Sequence, residues 1–428
     1  MKPLNELGAA ELAPLLARRE LSAERLARAC LDRIAAREPV VRAFAHLDSE
    51  RALAGARALD RGAVRGPLHG LPLGVKDIID TFDYPTEHGS AIYAGNQPAC
   101  DAACVALARA AGALVLGKTV TTEFATFAPG PTTNPRNTAH TPGGSSSGSA
   151  AAVADRMLPL AFGTQTGGSV IRPAAFCGVV GYKPSFDLLP RAGVKAISES
   201  LDTVGVFARS VEDAALFAAA LSGREALRIP RALRAPQLGL CLTPQWPSAR
   251  PETHKLFDDI ASHLSRSGAR VLRLALPPEF DALAALHGTV WDYEIARCLA
   301  DEYARHRERL GEALRSKLER GHAASADAYD AARRAVRACR ARLADALRDC
   351  DALVAPAAPG EAPAGLSSTG DSIFNRMWTL LHAPAVCVPV RPGPLGLPLG
   401  VQVIGRIGDD GRTLACAHWV QLGEARRF

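Results

Sequence analysis

The sequence predicts an α/β fold, a β-sheet covered by helices, on three observations. Strand-like and helix-like segments alternate from about residue 70 onward, and the strand-like segments are short and apolar. The 428 residues are 48% hydrophobic and 22% charged, enough for a large core under an ordinary polar surface.

The first sixty residues read as an N-terminal helical segment, 1–62. Ser22 is placed to cap a helix with Leu26, Ala27, Cys30, Leu31 and Ile34 on one face, and a second helix follows over Ser49 to Leu59. Gly70 to Asp77 then forms a short apolar strand ending on a charged pair. A helix over Asp101 to Ala111 precedes a strand over Ala113 to Leu116. Further apolar runs lie at Leu158 to Phe162, Gly178 to Val180, Leu238 to Leu242 and Val271 to Leu276. The stretch from about 279 to 351 is almost wholly helical in pattern and reads as an inserted, packed helix pair. Strands return at Ala352 to Ala355, Ala385 to Val390 and Leu399 to Ile404, with a Pro/Gly-rich loop at Ala357 to Leu366 and a terminal helix. No internal repeat or domain boundary is visible, so 1–428 is expected to be a single unit.

Composition narrows the partners. The net charge of +6 is spread along the chain and no nucleic-acid motif occurs, so nucleic acid is not expected. No apolar leader and no run of about 18 apolar residues is present, which points to a cytoplasmic enzyme with no membrane contact. The ten cysteines are expected as reduced thiols without a role, Cys100 and Cys104 being two small buried residues on one helix face. No metal-ligand spacing is found, and no cofactor is expected.

The chemistry concentrates in residues 141–173. Two Gly/Ser turns lie twenty-four residues apart around a short apolar run: Gly143-Gly144-Ser145-Ser146-Ser147-Gly148, which opens into the helix former Ser149 to Ala154, and Thr166-Gly167-Gly168-Ser169. Glycine admits left-handed backbone and lets main-chain N–H groups approach a ligand. Serine hydroxyls on such turns fit a nucleophile held beside amide donors. Of the fifty basic residues only seven are lysine, so Lys76, at the end of an apolar strand, invites the question of what arginine cannot do. Arginine keeps its proton in a protein, whereas a buried lysine can lose it. The eleven histidines pair with no Ser or Asp motif, which disfavours a Ser-His-Asp arrangement.

These motifs resemble the amidase signature family nearly end to end. The match comprises Gly70 to Asp77, Gly117-Lys118-Thr119, Asn134-Pro135, both Gly/Ser turns, Gly181-Tyr182-Lys183-Pro184, Ser200 to Gly205 and Leu397 to Gly405. The resemblance implies one large mixed β-sheet surrounded by helices, and a Ser-Ser-Lys hydrolase of a small-molecule amide. By motif position Ser169 is the nucleophile, Ser145 the bridging serine after a cis Gly144–Ser145 bond, and Lys76 the general base. The oxyanion hole falls to the N–H groups of Thr166, Gly167, Gly168 and Ser169. Gly144 and Ser146 are candidate substrate-binding residues, although Ser146 and Ser147 equally suit capping of the helix that follows. Lys118 and Lys183 are expected to be structural.

Two departures stand out. Gln165 replaces the Asp common before Thr-Gly-Gly-Ser, and the arginine usual two residues after the nucleophile is three after it, as Arg172. That pattern is similar to the malonamidase branch, in which this arginine holds a substrate carboxylate; pairing of Arg172 with an internal Asp or Glu is the other reading. The expected function is therefore hydrolysis of a small amide, malonamate-like if Arg172 binds substrate. The alternatives are a glutamine-hydrolysing subunit of a tRNA-dependent amidotransferase, against which the two departures argue, and a silent member acting as a binding protein. A homodimer is expected from the resemblance alone.

Overall fold

Eleven strands join into one mixed sheet in the computed structural model of this protein, which describes residues 2–425. In chain order the strands are β1 (Phe44–Leu47), β2 (Pro72–Lys76), β3 (Leu114–Thr119), β4 (Leu160–Gln165), β5 (Val180–Lys183), β6 (Thr203–Ala208), β7 (Gln237–Leu240), β8 (Arg270–Arg273), β9 (Ala352–Pro356), β10 (Ala385–Pro392) and β11 (Pro398–Ile404). Across the sheet they run β1-β3-β2-β4-β6-β5-β10-β11-β9-β7-β8. The pairs β3/β2, β2/β4, β9/β7 and β7/β8 are parallel and the others antiparallel.

The helices are α1 (Ala9–Ala17), α2 (Ala23–Val41), α3 (Ser49–Arg61), α4 (Ala103–Ala110), α5 (Ser147–Ala154), α6 (Ile171–Cys177), α7 (Val211–Ser222), α8 (Pro251–Arg266), α9 (Leu283–Cys298), α10 (Ala300–His306), α11 (Glu312–Ala323), α12 (Ala326–Ala346), α13 (Ile373–Leu380) and α14 (Asp410–Ala425). Ser22 caps α2 by accepting from the Arg25 N–H at 3.2 Å, as its sequence position predicts. The central strands β2, β3, β4, β6 and β9 are buried at every residue, which is why they read as unbroken apolar runs. Both sheet edges are four-residue strands, and short edges limit pairing with other chains.

Helix α5 is buried along its whole length, which accounts for its run of Ser, Gly and Ala. A Cβ at Gly148 would come within 2.1 Å of the Ala43 carbonyl and 2.4 Å of the Val120 nitrogen. Only glycine lets the helix settle that closely, and this fixes the height of the preceding Ser-rich turn above the sheet.

Several expectations need correction. The first sixty residues are not wholly helical: β1 interrupts them and pairs with β3, its four residues being too few to show a period. Of the run at Gly178 to Val180 only Val180 is strand, the first residue of β5, while Gly178 caps α6; the motif around Asp202 leads into β6, which pairs with both β4 and β5. The run at Val271 to Leu276 contributes only the edge strand β8. Cys100 lies before α4 and is exposed, so it shares no buried helix face with Cys104. No helix among the described residues is long and apolar enough to cross a membrane.

Candidate active site

Lys76 ends β2, in the centre of the parallel part of the sheet. The β2/β4 register, Leu73 to Leu160 and Gly74 to Ala161, brings its side chain beside Thr164. Its Nζ lies 2.8 Å from Ser145 Oγ and 2.8 Å from Thr164 Oγ1, and the residue is fully buried. Burial drives the Lys76 pKa well below the ordinary lysine value, with the more distant Asp202 charge opposing that shift. The adjacent Asp77 is no counter-ion for it: that carboxylate pairs with the buried Lys118 at 3.2 Å. An uncharged amine so placed has a lone pair to offer the Ser145 hydroxyl proton.

The first Gly/Ser turn carries Ser145 into contact with this amine, and the Gly144–Ser145 peptide is cis. Ser146 occupies the N-cap position of α5 without capping it. Its hydroxyl instead lies 3.3 Å from both the N–H and the carbonyl of Thr164, so it ties the turn to β4. Ser146 is fully buried, with its hydroxyl engaged by Thr164 on both sides. Ser147 likewise donates to the Ser145 carbonyl at 3.4 Å instead of capping.

The second turn links β4 to α6. Gln165, the first departure, points its Oε1 at the N–H groups of Val170 and Ile171, at 2.9 and 3.0 Å, while its Nε2 donates to Thr379 Oγ1 at 2.9 Å. It thus closes the turn from below, with both faces of its amide in use. Thr166 donates its hydroxyl to Asp202 at 2.6 Å, and burial raises the Asp202 carboxyl to about 6. The Gly167 carbonyl accepts from Thr379 Oγ1 at 2.8 Å and the Gly168 carbonyl from the Arg172 N–H at 2.9 Å. Gly168 is packed against α13: a Cβ there would lie 2.4 Å from Asn375 Oδ1 and 2.6 Å from Ser372 Cβ. Ser169 is 8% exposed against 1% for Ser145 and 0% for Lys76, so the three hydroxyl and amine groups run from the surface inward. The Ser169 hydroxyl makes no hydrogen bond to any described residue.

Arg172 is not paired with an internal Asp or Glu, the second of its two sequence readings. Its guanidinium donates to the Gly144 carbonyl at 2.7 Å, the Gly370 carbonyl at 2.9 Å and Thr369 Oγ1 at 3.0 Å, and no described carboxylate pairs with it. Only Nε lacks a partner, and burial lowers the guanidinium to about 10. Thr164, Thr379 and His287, whose Nε2 lies 2.9 Å from the Thr166 carbonyl, are site residues that sequence reasoning did not find. Thr164 was within reach of it, since it lies on the strand leading to the second Gly/Ser turn.

One group of possible metal ligands occurs among the described residues, His46, Asp77 and Glu87, with ligand atoms within 4.8 Å of one another. Within it His46 Nε2 lies 3.2 Å from Glu87, and Lys118 pairs with Asp77 at 3.2 Å.

Comparison with known proteins agrees with this geometry. The family described as Amidase matches residues 25–414. A glutamyl-tRNA(Gln) amidotransferase subunit from Salinispora arenicola is 35% identical over 478 aligned positions, covering 97% of each chain. A crystal structure of an amidase superposes with a TM-score of 0.90 at 32% identity, covering 97% of this chain and 99% of that one. A peptide amidase bound to the competitive inhibitor chymostatin superposes at 0.84 with 32% identity over 98% of both chains. Fold and likeness together define an amide C–N hydrolase. The chain belongs to the amidase signature family.

Proposed function

We propose that this chain releases ammonia from a small primary amide, glutamine or a close analogue, through an acyl-enzyme on Ser169, and that it does so as one member of a multi-protein assembly. The observation that carries the chemistry is the fully buried Lys76 amine, 2.8 Å from Ser145 Oγ and with its pKa driven well below the ordinary lysine value by burial. In the step proposed, Ser169 Oγ attacks the amide carbon and passes its proton to Ser145 Oγ, which passes its own to Lys76 Nζ. The N–H groups of the Thr166 to Ser169 turn hold the developing oxyanion, each such donor being worth about 10²–10³ in rate. The proton returns along the same path to the leaving nitrogen, ammonia departs, and water then attacks the ester by the same relay.

The substrate reading rests on the end-to-end similarity to glutamyl-tRNA(Gln) amidotransferase subunits, which by name belong to assemblies. Two departures argued against it, and the geometry weakens both: Gln165 and Arg172 are each engaged in holding the turns. The malonamate-like reading loses its support for the same reason, because Arg172 is already bound to two carbonyls and a threonine hydroxyl. A second reading, a free-standing amidase, is favoured by the equally similar solved amidase and peptide amidase. The link between Lys76 and Ser145 supports activity over a silent binding role.

Ammonia release should be measured from glutamine, malonamate, neutral small amides and peptide C-terminal amides, with the chain purified from its own host and again from a foreign one. Preference for glutamine, with activity lost in the foreign host, is expected. Preference for peptide or neutral amides by the chain alone would favour the second reading, and preference for malonamate would return Arg172 to the substrate.

A further inference from the structure

Three carbonyls of the nucleophile turn are each held by a different neighbour. A trans peptide unit is planar, so its C=O and the following N–H point in opposite directions. Holding the carbonyls of Thr166, Gly167 and Gly168 therefore sets the direction of the N–H groups of Gly167, Gly168 and Ser169. Gly168 is held by the backbone of Arg172, at the start of the helix that follows the turn, and Gly167 by Thr379 on α13. Thr166 is held from much further away in sequence, by His287 on α9, in the helical stretch that precedes β9.

We infer that His287 is a positioning residue for the oxyanion hole: by binding the Thr166 carbonyl at 2.9 Å, it aims the Gly167 N–H at the site where the oxyanion forms. The inference rests on the reading of Ser169 as nucleophile. A carbonyl oxygen only accepts, so the histidine must donate from Nε2 and carries its proton there. The ring is 1% exposed, and burial lowers its pKa to about 3, which keeps this neutral tautomer over the working pH range. Its Cε1 would lie 3.6 Å from a Cβ on Gly167, beside Ser372 Oγ at the same distance, so the ring also walls that side of the turn.

The ring is itself supported. Trp291, one turn along α9, meets it edge to face with centroids 5.7 Å apart. Lys317 on α11 lies 4.0 Å over the Trp291 ring and is ion-paired with Asp292. The helical stretch therefore reaches the reacting centre through one hydrogen bond. Nothing in sequence spacing joins residue 287 to residue 166, which explains why histidine looked idle.

The test compares His287→Gln, whose amide nitrogen can still donate, with His287→Phe, which fills the space without a donor. Thermal stability is followed alongside kcat and KM. His287→Phe is expected to lower kcat by about 10–100-fold, somewhat less than outright loss of an oxyanion donor. Its KM should stay within about twofold, and affinity for a trifluoromethyl ketone analogue of the substrate should fall in step with kcat. His287→Gln should recover most of both. An unchanged kcat in His287→Phe, equal losses in the two variants, or a loss carried by KM alone would overturn the inference. Fluorophosphonate labelling of the unaltered protein, absent in Ser169→Ala, tests the nucleophile reading separately.

Discussion

Arg172 reaches across from the start of α6 to donate to the carbonyl of Gly144 at 2.7 Å, joining the helix after one Gly/Ser turn to the residue before Ser145 on the other. The two turns are thereby locked at a fixed separation, and a guanidinium suits the task because its planar fork serves Gly144, Gly370 and Thr369 together.

Replacing Arg172 by Ala should accordingly harm every substrate alike. The buried Gly144 carbonyl and the half-buried Gly370 carbonyl lose their donor, which predicts a stability loss of about 2–4 kcal/mol. Steady-state kinetics should show kcat reduced by the same factor for neutral and carboxylate-bearing amides. A KM rise confined to the carboxylate-bearing substrates would instead give Arg172 a direct contact with substrate.

The amine must be uncharged to act, so activity should rise with pH along a limb set by Lys76 and lying below the ordinary lysine value. Lys76→Met should lower kcat by about 10²–10⁴-fold, and Lys76→Arg should restore almost none of it, because arginine holds its proton. A pH profile of kcat/KM checks both points. Substantial activity in Lys76→Arg would remove Lys76 as base.

Gln165 offers a third test. Gln165→Ala leaves the Val170 and Ile171 N–H groups without their acceptor and should cost about 1–3 kcal/mol in urea unfolding. Gln165→Glu keeps the acceptor but loses the donor to Thr379, and should fall between Ala and the native residue. Because Thr379 also holds the Gly167 carbonyl, both variants should lower kcat more than they raise KM.

Lys183 is fully buried at the end of β5; among the described residues its amine bonds only to the Pro184 carbonyl, at 2.8 Å, and burial lowers its pKa to about 7. In the unfolded chain the value returns to about 10.4, so between those two pH values the unfolded state binds the extra proton. Stability must therefore rise with pH over that window, and below about 7, where both states are protonated, this lysine adds no slope. Urea unfolding at pH 6.5 and 9.5 should show a rise in the native protein, relative to Lys183→Met, of order a few kcal/mol. An identical pH dependence in the two proteins would contradict the shift.

The motif-bearing part of the site was legible because its demands are local. An apolar strand ending in lysine, and serines on glycine turns, carry their chemistry in neighbouring residues. What escaped depends on sheet register or on distant helices. Thr164 meets Lys76 only through the β2/β4 register, and Thr379 and His287 reach the nucleophile turn from 212 and 121 residues away. The partners that Arg172 has in the fold, two backbone carbonyls and the Thr369 hydroxyl, were not foreseen, because every residue possesses a carbonyl and no side-chain pattern announces one. For the fold, the alternation of apolar segments pointed to the helix-covered sheet, whereas the short edge strand β1 was hidden in a helical stretch.

The central claim is that Ser169 Oγ, served by Lys76 through Ser145, forms the covalent intermediate. Acid-quenched turnover followed by peptide mass spectrometry tests it most directly. An acyl adduct on the peptide containing Ser169, absent in Ser169→Ala and strongly reduced in Lys76→Met, is the predicted result. Turnover that continues in Ser169→Ala, or an adduct mapped to a different residue, would contradict it.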